Sequence, residues 1–166
     1  MLREINPATI DALAAFPDQL ESLYSAFARE ATRWAPASWE GVPSEALTAL
    51  QQVCHVRDIE IEGYQVRLKR TRDEPNPYLP SLDTDALVVA RRYDEQDAGA
   101  VLAQFRAARK DTIQMIRSLS VTQMDRPARF EGYGPVTLRS LVHYLCSHDQ
   151  QHLSGLQWLL GKLSGP

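Results

Sequence analysis

The sequence predicts an all-α fold, a four-helix bundle, from three observations. Four segments carry apolar residues at the three-and-four spacing of one helix face, a proline-rich stretch separates the second from the third, and 166 residues suit a single domain, expected over 1–166.

The first helix is expected from about Asp18 to Trp34, with Leu20, Leu23, Tyr24, Phe27 and Ala31 on one face. A short turn precedes it, with Asn6 as cap and Pro7 as first helical residue. The second is expected from about Glu45 to Arg72 after the N-cap Ser44, with Leu47, Leu50, Cys54, Ile61 and Leu68 facing the core. Asp73 to Glu95 holds Pro75, Pro77 and Pro80, which cannot continue a helix because proline lacks the amide donor. The third helix covers about Gln96 to Leu119, capped by Asp94, with Val101, Leu102, Phe105, Ala108, Thr112, Met115, Ile116 and Leu119 inside. The fourth follows the turn-like EGYGP, starts at the cap Thr137 and ends near Leu163, where Gly161 and Gly165 mark the stop.

A helix of some 25 residues is about 38 Å long, and an extended linker of about 22 residues reaches roughly 70 Å. The connection between helices two and three is therefore long enough to cross the bundle. That length permits the order up-down-down-up, with a loop between antiparallel neighbours as the alternative.

Composition excludes several classes. At 44% hydrophobic and 23% charged, with no apolar run near the roughly 20 residues a bilayer requires, the chain is not expected in a membrane. The segment MLREINPATIDALAAF lacks an uninterrupted apolar stretch and a small-residue cleavage site, so no signal peptide is read and a cytoplasmic location is expected. A net charge of -3 argues against nucleic acid as a partner. Arg67, Lys69, Arg70 and Arg72 cluster where they complement a helix C-terminus. Cys54 and Cys146 lie inside helical patterns and are read as buried packing residues.

All four histidines fall in the two longest helical segments. His148 and His152 are four apart, about 40° around the axis and one turn along it, so both can reach one ion. His143 is about 180° from His152 and is expected to be a partly buried, hydrogen-bonded residue instead. His55, on the second helix, is the remaining imidazole. By pattern alone, a metal site and a chance helical arrangement are equally supported.

The segments ALQQVCHVRDIEIEGYQVRL and YGPVTLRSLVHYLCSHDQQHLSGLQWLL, with the proline-containing connection ending near LPSLD, resemble the DinB/YfiT-like superfamily of metalloenzymes. The resemblance runs from about Trp34 to Leu163 and rests chiefly on the His-Asp-x-x-His-Leu signature at residues 148–153. It implies a four-helix bundle with His55, His148 and His152 as ligands of a divalent metal, zinc or nickel. Many relatives carry glutamine three residues beyond the last ligand, where this chain has Gly155. It also implies thiol-dependent transfer or isomerisation with a low-molecular-weight thiol on a small-molecule substrate, while the acidity a metal lends to bound water suits hydrolysis.

Three neutral imidazoles leave coordination positions open, as a catalytic site requires. Asp58, about one turn from His55, is the candidate base or orienting acceptor for that ring. Asp149 is expected in capping or surface contact, Glu62 on exposed surface, and Trp34, Trp39 and Trp158 in core or interface positions, with Trp39 a possible pocket wall. The competing class is a non-catalytic bundle fastened by its metal, or a dimeric interaction module.

Overall fold

The computed structural model describes residues 4–165. The signal-peptide reading rests partly on residues 1–3, which lie outside them. No helix among the described residues is long and apolar enough to cross a membrane.

Four long helical stretches form a bundle. Helix α1, Pro7–Ser25, is one continuous element in which the Asn6 side chain accepts from the Ala8 amide at 2.9 Å. The expected short turn and separate helix from Asp18 are thus merged, with Pro17 inside. A proline there leaves the carbonyl four residues earlier without its helical donor. That carbonyl is Leu13 O, and the buried Arg109 Nη1 donates to it at 3.0 Å. The helix ends nine residues before Trp34, and a short 3-10 turn, Arg29–Arg33, follows.

The second long stretch starts at Ala49, later than expected. Thr48 and Gln51 form a reciprocal capping box, which displaces Ser44 from the N-cap role. Helix α2, Ala49–Asp58, passes into a π-helical segment, Ile59–Tyr64, and then α3, Gln65–Asp73. Bonding from i to i+5 shifts the phase of the helix face. Ile61, expected inside, is consequently 38% exposed, while Glu60 is buried.

The connection that follows is partly structured, with strand β1 at Tyr78–Leu79 and helix α4 at Thr84–Ala90. It contacts the second stretch in reverse sequence order: Tyr78 O accepts from Arg70, Arg91 pairs with Glu62, Tyr93 donates to Asp58, and Asp94 accepts from Gln51. Helix α5, Ala98–Arg117, is capped by Asp97, whose side chain accepts from Ala100 N at 2.7 Å, rather than by Asp94. A short α6, Val121–Met124, leads to strands β2, Pro127–Phe130, and β3, Gly134–Thr137.

The sheet, absent from the all-α expectation, is small: β1 pairs parallel with β2, and β2 antiparallel with β3. Gly132 and Gly134 take positive φ in the β2–β3 turn, and Ala128, Phe130 and Val136 bury one face against the helices. Four-residue strands leave too short a pattern to read in sequence. Thr137 caps α7, Leu138–Ser164, as expected.

Arg109 joins the elements. Its guanidinium pairs with Glu60 at 2.9 Å and with Asp149 at 2.6 and 2.8 Å, all three residues being about 1% exposed. Removing one partner of a buried ionic network strands the others in low dielectric. Arg109→Met is therefore expected to lower the unfolding free energy by about 3–5 kcal/mol. Replacing Arg109, Glu60 and Asp149 together with apolar residues of similar volume should cost much less. Urea denaturation of the two variants beside the wild type checks this.

Candidate metal centre

Three rings meet where α2 faces the middle of α7. His148 Nε2 lies 3.2 Å from both His55 Nε2 and His152 Nε2. Four-residue spacing stacks His148 and His152 on one face of α7, and α2 supplies His55 opposite. A fourth donor joins them: Glu45 Oε2 is 3.2 Å from His152 Nε2, and Glu45 Oε1 is 3.6 Å from His55 Nε2. Donor atoms of these four residues all lie within 4.8 Å of one another.

The donor chemistry fits a divalent metal. A tetrahedral ion with bonds of about 2.0–2.1 Å holds neighbouring nitrogens about 3.3 Å apart, close to the spacing of the rings. Gln52, fully buried, donates its amide to Leu47 O at 3.3 Å, so its Oε1 is the atom 3.0 Å from His152 Nδ1. The ring hydrogen of His152 therefore sits on Nδ1 and the Nε2 lone pair faces the cluster, the arrangement second partners impose on ligating histidines. His55 Nδ1 is buried without a partner.

Electrostatics agree. Burial, then the neighbouring His152, lowers the pKa of His55 to about 4. Burial and the other two rings push His148 well below the usual value. Burial opposes ionisation of Glu45, but wherever His152 or His55 carries a proton, the hydrogen bond and charge of His152, then the charge of His55, outweigh burial and hold the carboxyl well below its ordinary range. Neutral imidazoles and an ionised carboxylate are the forms that coordinate metal.

Other expectations change. Asp58 is buried, but it neither orients His55 nor joins the cluster. Its carboxylate accepts from Arg57 Nε at 2.8 Å and from the Tyr93 hydroxyl at 2.6 Å, and pairs with Arg91 at 3.0 Å. Asp149, expected at the surface, is the buried partner of Arg109, and burial lifts its pKa to about 7 against the pull of that arginine. Glu62 is exposed, as expected, and pairs with Arg91. His143 is exposed rather than partly buried. Cys54 is fully buried and Cys146 partly so, both as free thiols outside the cluster. Trp39 stacks on Trp158 with centroids 6.0 Å apart, fastening the loop that carries Glu45 to α7.

Glu45 escaped sequence reading because it sits in a loop, where helical spacing says nothing about direction. Asp149 left a signal. It continues the buried stripe Leu141, Leu145, His152, Leu156, Leu159, where a carboxylate requires a partner.

A histidine whose pKa is lowered on folding takes up its proton in the unfolded chain first. Its contribution to stability is present above about pH 6.5 and is lost as pH falls towards 4. Asp149 changes stability in the opposite direction, so a difference measurement is needed. The stability advantage of metal-free wild type over His55→Gln should shrink by about 3 kcal/mol between pH 7 and pH 4. Chemical denaturation of both proteins across that range measures it.

No curated protein matches the chain. Among solved structures it is similar to YfiT from Bacillus subtilis, described as a probable metal-dependent hydrolase with an unusual four-helix bundle topology. The match has a TM-score of 0.82 at 17% identity and covers 96% of this chain and 87% of that one, a likeness of fold. A family model for the DinB superfamily matches residues 12–155, most of the chain, and with the helical bundle described above it establishes that the protein belongs to the DinB superfamily.

Proposed function

We propose that the chain is a metal-dependent hydrolase acting on a small molecule, with His55, His148 and His152 as its metal ligands. The observation that carries this reading is the convergence of three imidazole nitrogens, two of them 3.2 Å from the third, on helices that fix their directions. The YfiT likeness supports the reaction class. A divalent zinc or nickel ion held there would supply Lewis acidity and acidify a bound water.

The protein's own groups prepare that site. Gln52 fixes the tautomer of His152, and burial keeps His55 and His148 neutral. Asp58 acts in this reading as a positioning residue, anchoring Tyr93 and Arg91 of the connection to α2. The up-down-down-up order belongs to the same reading. It is supported by the reverse-order contacts of the connection and by the pairs Arg57–Gln104 and Gln65–Thr112, which ascend together along α2–α3 and α5. Transfer from a low-molecular-weight thiol is the neighbouring chemistry, since a thiolate suits the same position.

A second reading has one observation in its favour: Glu45 supplies a fourth donor, as in closed structural sites. The carboxylate is 40% exposed, against 1% for His55 and 0% for His152, which favours an exchangeable position over a sealed one. Chelation separates the readings. Hydrolytic activity on a panel of small amides and esters should vanish on chelation and return with zinc or nickel, while the helical circular dichroism persists. Unfolding on chelation would favour the structural reading. His152→Ala should lose most of the metal affinity and His143→Ala little, measured by metal content after dialysis.

A further inference from the structure

Glu45 reaches the histidines from a loop, and that loop is seated at two points on α7. Trp39 stacks on Trp158. Ser44 lies against Gly155, so closely that a Cβ at position 155 would fall on Ser44 Oγ and come within 2.9 Å of both Ser44 Cβ and Gln52 Oε1. Gly155 sits within a regular helix and has no positive φ to explain its identity. The space it leaves is occupied by the residue next to Glu45.

Resting on the metal-centre reading above, we propose that Glu45 is the fourth, exchangeable ligand of the centre. The loop that delivers it is seated by Gly155, and the group that takes its place is a small anionic oxygen or sulfur donor.

Three observations support this. The Glu45 oxygens lie 3.2 and 3.6 Å from two ring nitrogens, near the edge of a coordination tetrahedron. At 40% exposed, the carboxylate marks the solvent side of a cluster whose His55 and His152 are buried, so an incoming group meets Glu45 first. Finally, charge selects the replacement. Three neutral imidazoles and one carboxylate leave a divalent ion with a single net positive charge. A departing carboxylate leaves that charge unchanged only if an anion replaces it, whereas a neutral ligand would enlarge the charge of a largely desolvated site.

Cobalt(II) reports on ligand number through its visible absorption, independently of turnover. Cobalt(II) titrations of wild type, Glu45→Gln, Gly155→Ala and the double variants Glu45→Gln/Gly155→Ala and Gly155→Ala/Ser44→Gly test the proposal, with circular dichroism verifying each fold. Glu45→Gln should change the visible spectrum and weaken cobalt(II) binding by about 100-fold, the upper end of what disturbing the surroundings of a metal site costs. Azide should bind its cobalt form about tenfold tighter than the wild-type form, because no tethered carboxylate competes. Gly155→Ala should reproduce the Glu45→Gln loss, add nothing to it in combination, and be rescued by Ser44→Gly. An unchanged spectrum and affinity in Glu45→Gln would overturn the ligand assignment, and equal azide binding would overturn its exchange. Failure of Ser44→Gly to rescue would assign the Gly155→Ala loss to Gln52, the other neighbour of the added Cβ, and overturn the seating role of Gly155. Folded wild-type protein that takes up no cobalt(II) would instead overturn the metal centre itself.

Discussion

The buried ion cluster around Arg109 is the constraint on which the arrangement depends. One guanidinium on α5 donates to Leu13 O on α1, to Glu60 in the π-helical segment and to Asp149 on α7, so it touches all four stretches of the bundle. Phe16 and Phe105 lie 5.2 and 5.1 Å from its central carbon and exclude water. Pro17 frees the Leu13 carbonyl, and the π-helical segment carries Glu60 inward. Both departures from regular helix therefore have a polar counterpart in the same cluster. Burying a cation between two anions is costly unless every donor is matched, and here the matching sets the axial positions of three helices against the fourth.

The histidine cluster inherits that registration. Asp149 is adjacent to His148, and Glu60 lies five residues beyond His55, just inside the π-helical segment. Fixing Glu60 and Asp149 on one guanidinium sets α2 against α7 at the level where the three rings meet. A second polar network, in which Asp58 holds Arg57, Arg91 and Tyr93, ties the connection to the outer side of α2. Asp58 therefore bears on the site through the position of the helix that carries His55, not through contact with the ring.

The loop before α2 differs from these helical parts. It has little regular structure of its own, and its position comes from Trp39 on Trp158, Ser44 on Gly155 and Leu47 O on Gln52. Each of those contacts lies on one of the two helices that bear the histidines. The geometry that orders the loop thus also aims Glu45, and a substitution in the loop seat would act on the site without touching a histidine.

Much of this was legible in the sequence because helical periodicity is local. The four amphipathic stretches, the caps Asn6 and Thr137, the proline-rich connection and the stacking of His148 on His152 all follow from neighbours a few residues apart. The resemblance to a family added His55 as the third member. Tertiary structure decided what depends on distant partners: the capacity of α1 to carry Pro17, the phase shift that exposes Ile61 and buries Glu60, the pairing of Asp149 with Arg109, and the delivery of Glu45 to the histidines. The physical reason is the same in each case. A buried charge or a loop-borne carboxylate takes its place from partners remote along the chain, and local spacing cannot specify them.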